Sequence, residues 1–377
     1  MSEVIELLRE MVATPSVTCS AHQGLDETHG EGRMVQLVAD FWRRSGIDYE
    51  IQTVLPGREN VVARIEGGDG PALVLEAHTD TVEVENMEIA PFDPAVKAGR
   101  VYGRGACDDK ASLAAMMIAV RNVAEKGLPG TVTLAAAANE ECGHGGVVTL
   151  LESGLHADGA VVGEPTLLQV VVAHKGACRL EITTHGVAAH SSEPHKGENA
   201  IYAMARIIQA LEAYAGELGD RPKHPLVSGP TCSVGMIDGG QAPNVVPDRC
   251  EISVDRRMIP GECTEDTEQE LLGVIAAAAG DEVIWSSTLA FEDYTLETDP
   301  ECWVARIARR ATAAVTGDET VIGVQYGTDA SNLSHAGIPS VVLGPGSIAQ
   351  AHTAVEYVEI EQVEKAVLIY EKLCLQQ

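Results

Sequence analysis

An α/β fold follows from three features of the sequence: a mostly parallel sheet with helices on both faces, interrupted by an inserted α+β unit. Up to Pro165, short apolar runs alternate with helical periodicities, the order that places parallel strands between crossover helices. Several of those runs end in acidic residues or His on their C-terminal side, where open α/β sheets bind ligands. Between Gly176 and Leu289 the runs change to an apolar/polar alternation, the mark of antiparallel strands with one wet face.

In chain order, residues 3–12 place Val4, Ile5, Leu7, Leu8, Met11 and Val12 on one helical face. Cys19–Gly32 is polar and reads as a loop. Residues 33–45 form a second helix stopped by Gly46. Strands at 48–54 and 60–66 precede the run Ala72–Ala77, buried on both faces, that delivers His78-Thr79-Asp80. After an irregular stretch, Glu83–Ala98, the Gly-rich turn Val101–Lys110 leads into a helix over Ala111–Lys126 closed by Gly127. Strand Thr131–Ala138 delivers Asn139-Glu140-Glu141. A helix near 145–153 and strand Gly159–Val162 deliver Gly163-Glu164-Pro165. Alternating strands Arg179–Thr183 and Arg249–Asp255, with helices at 198–215 and 266–279, make up the inserted unit. From Cys302 the α/β style returns, with a helix, strand Ser340–Leu343, a loop carrying His352 and a closing helix at 360–374. This divides the chain into one domain of residues 1–175 and 290–377 and another of residues 176–289.

Composition narrows the function classes. With 377 residues, 45% of them hydrophobic and 22% charged, the chain is globular and long enough for two or three domains at roughly 150 residues each. No apolar run reaches the ~18 residues of a membrane span, and the acidic start Met1–Glu6 is unlike a signal peptide, so a cytoplasmic protein is expected. A net charge of −30 argues against nucleic acid and anionic membranes as partners and leaves a small molecule. The nine cysteines are an odd number without a C-x-x-C pair, which argues against a disulfide framework and against structural zinc. Cys107 and Cys142 differ from the rest only in lying beside acidic motifs.

The chemistry sits at the strand ends. In a strand, residues i and i+2 share a face, so Asp80 could orient the imidazole of His78 for a metal. Asp108-Asp109 opens a helix, where a carboxylate serves equally as a cap. Two adjacent carboxylates, Glu140-Glu141, repel unless their roles divide into ligand and general base. Glu164 and His352 complete a set of imidazoles and carboxylates without thiolate. That set suits zinc, with manganese or cobalt as substitutes, and one bridging carboxylate could hold two ions roughly 3.5–4 Å apart.

Six pieces stand in one order: His78-Thr79-Asp80; Gly103 to Lys110; Asn139-Glu140-Glu141; Gly163-Glu164-Pro165-Thr166; Gly186 through His190-Ser191-Ser192; and Gly344-Pro345-Gly346-Ser347 through His352. In these pieces the chain resembles the di-zinc amidohydrolase family that includes acetylornithine deacetylase, succinyl-diaminopimelate desuccinylase, aminoacylases and carboxypeptidase G. The resemblance implies two Zn²⁺, one held by His78, Asp108 and Glu164, the other by Asp108, Glu141 and His352. It implies a bridging water activated by Glu140 as general base, Asp80 as the orienter of His78, and a cis bond between Asp108 and Asp109. The inserted unit resembles a lid and homodimerisation domain. In it, His190 would stabilise an oxyanion in the partner subunit's site, and Asn244 and Arg257 would bind substrate, with Arg256 as the alternative to Arg257. Gly346 and Ser347 would offer backbone donors. The pieces around Glu164, Lys175 and Gly346 look most like the acetylornithine deacetylase branch, so an N-acyl amino acid is the expected substrate. Asp329 could receive its side-chain ammonium, although that branch would carry Glu there. An exopeptidase or desuccinylase of the same family is the second reading, and a non-catalytic binding protein on this scaffold the third.

Overall fold

The computed structural model describes residues 1–18 and 25–376; the first part of the expected polar loop, Cys19 to Gly24, lies outside the described residues. The chain divides into two compact units, one of Met1–Val172, Thr298–Ile322 and Thr328–Gln377, the other of Ala173–Glu297 with Gly323–Gly327.

In the first unit the sheet order is Tyr49–Leu55, Arg58–Ile65, Gly130–Ala137, Gly70–His78, Gly159–Val162, Ser340–Val342, then the strand beginning at Val170. The inner four strands, from Gly130–Ala137 to Ser340–Val342, are parallel, and the flanking pairs are antiparallel. Chain order explains the parallel centre. Helix Lys110–Val123 carries the chain from the His78 strand to the next, and helix Gly145–Glu152 carries it on to Gly159. The first two strands are joined by a tight turn with Gly57 at φ 76°, so they form a hairpin instead.

Helices cover both faces. Val61 and Ala63 face the main core, together with Leu73, Leu75, Val132 and Leu134 and residues of helices Glu3–Val12, Lys110–Val123 and Ile360–Cys374. Val62 and Ala135 point the other way and meet Leu150 of helix Gly145–Glu152. Fully apolar strands are therefore required, which is why Gly159–Val162 is buried along its whole length. Helix Gly32–Ser45 ends at Gly46, whose φ of 67° gives the left-handed cap expected there. The third helix spans Lys110–Val123, shorter at its end than the expected Lys126.

The second unit is an antiparallel sheet of order Thr231–Gly239, Arg249–Met258, Gly176–His185, Ile284–Asp293. Leu180, Ile182, Ile252 and Val254 pack against Met204, Ile207, Leu271 and Ile275 of helices Ala200–Gly219 and Thr264–Ala279. Asn199 caps the first of these, its side-chain oxygen accepting the Tyr202 N–H at 3.1 Å. Strands Val170–His174, Thr231–Gly239 and Ile284–Asp293 were not anticipated from the sequence. Among the described residues no helix is long and apolar enough to cross a membrane.

Candidate metal centre

The parallel strands bring their ends together. His78 closes its strand, Glu140 and Glu141 follow the neighbouring one, and Glu164 lies just beyond Gly159–Val162. Asp108 enters from the Gly-rich turn, and His352 from the loop after Ser340–Val342. Two groups result, His78–Asp108–Glu164 and Asp108–Glu141–His352, each with its candidate ligand atoms within 4.8 Å of one another. Asp108 belongs to both. Its Oδ1 lies 3.0 Å from His78 Nε2, and its Oδ2 lies 3.2 Å from His352 Nε2. Glu164 Oε1 is 3.9 Å from His78 Nε2, and Glu141 Oε1 is 3.1 Å from His352 Nε2. The peptide bond from Asp108 to Asp109 is cis.

The electrostatics show a demand for positive charge. Hydrogen bonds to Asp108 and then Glu141 push the His352 imidazole up to about 10. Burial opposes charge on Asp108, yet hydrogen bonds from His352 and His78 outweigh it and hold that carboxyl below the usual range. Burial first, and then the Asp108 charge, push Glu164 well up. Burial likewise raises Glu140. Imidazoles that take protons and carboxyls that resist ionisation are what a cluster of oxygen and nitrogen donors shows before a divalent cation neutralises it. The donors also suit zinc chemically: two imidazoles, three carboxylates and no thiolate.

Asp80 holds more than His78. The nearest acceptor to His78 Nδ1 is the Asp80 carbonyl, at 3.0 Å, while the Asp80 carboxylate is 3.6 Å away. That carboxylate instead accepts the N–H groups of Glu140 at 3.0 Å and Glu141 at 3.2 Å. Arg58 lies behind it at 3.7 Å and is bonded to the buried Glu31, which also accepts the Asn139 N–H. Residue Asp80 therefore orients the imidazole through its backbone and the acidic turn through its side chain.

Other expectations need correction. Asp329 is not open to a substrate ammonium: it is 1% exposed and accepts His144 Nδ1 at 2.7 Å. His144 lies four residues beyond Glu140, and its Nδ1 is 3.9 Å from that carboxylate. The Gly346 N–H is given to Gln362 Oε1 at 2.8 Å, because its turn, at φ 90°, packs against the closing helix. The Ser347 carbonyl accepts the Cys107 thiol, a contact that does not involve its N–H.

In the second unit, His190 and Asn244 come together. His190 pairs with Val245 in a two-residue ladder, and the Ser191 N–H donates to the Asn244 carbonyl at 3.0 Å. His190 is exposed, with Nδ1 2.7 Å from Ser192 Oγ. Arg257 is half-buried beside Asp255 at 2.8 Å. Arg256 is fully buried between Tyr214 and Glu262, so its guanidinium serves the unit's own interior.

The model of peptidase family M20/M25/M40 matches residues 74–376. The chain belongs to that family. An acetylornithine deacetylase of Proteus mirabilis is 33% identical over 374 residues, covering 96% of this chain and 93% of that protein. Two solved M20 structures share the fold. One is a metallo-carboxypeptidase of Sulfolobus solfataricus, with TM-score 0.81, 21% identity and coverage of 100% and 99% of the two chains. The other is a Bacillus subtilis protein described as a dinuclear metal-binding peptidase, with TM-score 0.71, 19% identity and coverage of 99% and 96%. Membership of M20/M25/M40 makes the chain a hydrolase, and its clusters supply donors for metal ions.

Proposed function

We propose that the protein hydrolyses the amide bond of an N-acyl amino acid, as an acetylornithine deacetylase does, at a centre holding two divalent cations, Zn²⁺ by preference. The observation that carries this is one carboxylate, Asp108, common to two groups of ligand atoms, with Glu140 on the turn beside them. When bound, the cations supply polarisation of the scissile carbonyl and a more acidic water. Glu140 is placed to take the proton from that water as its oxygen adds to the carbonyl carbon. It returns the proton to nitrogen as the C–N bond breaks, and the remaining proton of the new carboxyl group passes to the amine, leaving a carboxylate and an ammonium. The raised Glu140 carboxyl suits both directions of that transfer.

Arg257 is the residue proposed to take the substrate carboxylate, because its fork is half-buried while Arg256 is enclosed. His190 and Asn244 join it from the same unit, His190 as an oxyanion donor across a homodimer. An exposed apolar edge supports that dimer: Met236 and Ile237, on the outer strand Thr231–Gly239, are 70% and 60% exposed.

The test is kcat/KM at known metal content for acetylornithine, acetylmethionine, succinyl-diaminopimelate and a set of dipeptides. Acetylornithine should lead; dipeptides turned over a hundredfold faster would give the exopeptidase reading instead. Metal uptake should also release protons. A cation needs neutral imidazole, and in the metal-free protein His352 is protonated below about 10. Affinity should therefore rise with pH and weaken as pH falls from 8 to 6, checked by chelator competition with a pH indicator in weak buffer. A pH-independent affinity would remove His352 from the ligand set.

A further inference from the structure

Glu356 has no part in the chemistry above, yet its carboxylate is bonded to the backbone of the shared ligand. Its side chain and that of Arg104 are buried, at 0% and 2% exposure. One carboxylate oxygen accepts both the Cys107 N–H at 2.9 Å and the Asp108 N–H at 3.1 Å. The other accepts Arg104 Nη1 at 2.7 Å, and Arg104 Nη2 runs on to the Glu83 carbonyl at 2.9 Å. The backbone is engaged too. The Glu356 carbonyl accepts the Gly103 N–H at 3.2 Å, and Tyr357–Glu359 pairs with Arg100–Tyr102.

The turn that carries Asp108 needs this. Gly103 and Gly105 take φ values of 138° and 79°, so the turn leaves the strand and helix ladders and its N–H groups require other acceptors. A charged acceptor shared by two successive N–H groups fixes their direction more firmly than a neutral one. Asp80 holds two successive N–H groups as well, those of Glu140 and Glu141, with one oxygen for each and Arg58 behind it. Glu356 has a second consequence, because it lies four residues beyond His352. One side chain thus ties the His352 loop to the Asp108 turn. The His352 side chain is 49% exposed, so the loop's tie to Asp108 matters for its placement.

We propose that Glu356, backed by Arg104, is a positioning residue that sets the cation affinity of the Asp108–Glu141–His352 group by locking the Asp108 turn to the His352 loop. The proposal rests on the di-metal reading above. It predicts an unequal effect: both groups share Asp108, but only the Asp108–Glu141–His352 group also depends on the His352 loop, whereas His78 and Glu164 are held by strand ends that Glu356 does not touch.

The experiment is a Zn²⁺ titration of the metal-free protein against a chromophoric chelator, with metal content after dialysis. It uses the parent, Glu356→Gln, Arg104→Lys and His352→Ala. Gln keeps the volume and one acceptor oxygen but cancels the charge. Glu356→Gln should weaken one of two binding steps by ~10–100-fold, the range for loss of a residue supporting a metal ligand. The other step, which shares Asp108 but not His352, should weaken clearly less, so that the titration moves toward that of His352→Ala. Arg104→Lys, which keeps a cation behind the carboxylate, should shift the same step by less. If both steps weaken alike, with a matching fall in the Tm of the metal-free protein, Glu356 is scaffold only; two unaltered steps overturn the proposal as well. A parent protein that binds fewer than two cations overturns the metal reading itself, a result distinct from either.

Discussion

Asp108→Ala should empty both cation positions at once and lower kcat/KM by ~10⁴-fold or more, since carbonyl polarisation and water activation are lost together. The reason is geometric. Asp108 is the residue common to the two ligand groups, and its two oxygens face different imidazoles. Each of the other ligands belongs to one group, so Glu164→Ala or His352→Ala should leave one cation behind. Metal content by mass spectrometry after dialysis distinguishes the two patterns. An Asp108→Ala protein that retains two equivalents would sink the shared-ligand arrangement. Folding should survive, because Glu356, itself held by Arg104, reaches the backbone of residues 107 and 108 and not the Asp108 side chain.

Glu140→Gln should lower kcat by ~10²–10⁴-fold, the range for a positioned general acid–base group, with both cations retained. Glutamine preserves the shape and leaves the backbone N–H that Asp80 accepts, so the neighbouring Glu141 keeps its place. KM should change little, since the lost interaction is with the proton in flight and not with bound substrate. Activity within a few-fold of the parent would assign the proton transfer elsewhere. His144, 3.9 Å from the Glu140 carboxylate and bonded to Asp329, is then the next residue to test.

The strands that carry ligands were legible because burial on both faces leaves an unbroken apolar run and the polar ligands mark its end. Gly70–His78 and Gly159–Val162 are of this kind. Thr231–Gly239 was not, because most of its positions are exposed and the alternation that runs from Thr231 to Met236 breaks at the adjacent Met236 and Ile237. Val170–His174 is fully buried and a residue longer than Gly159–Val162, but no acidic residue marks its end. The side chains that meet in the two ligand groups were all named from the sequence, since each stands in a local motif. Their supports were not. Glu356 is one acid in a polar loop, and its partners at Cys107 and Asp108 lie 249 and 248 residues away. Glu31 and Arg58 likewise act on Asn139 through contacts with no local signature. Strand geometry put the Asp80 side chain beside His78, but its bonds to two backbone N–H groups beyond another strand have no local signature either.

The donors are spread from residue 78 to residue 352 and stand at the tips of separate strands and loops. Residues 78–164 complete one group, but the second needs His352 as well, so tight retention of both ions reports that the entire layer has assembled in register. Resistance to protease should consequently track metal loading more closely than secondary-structure content does. A nick in any one of the connecting segments should be felt first as leakage of ion, before the layers come apart.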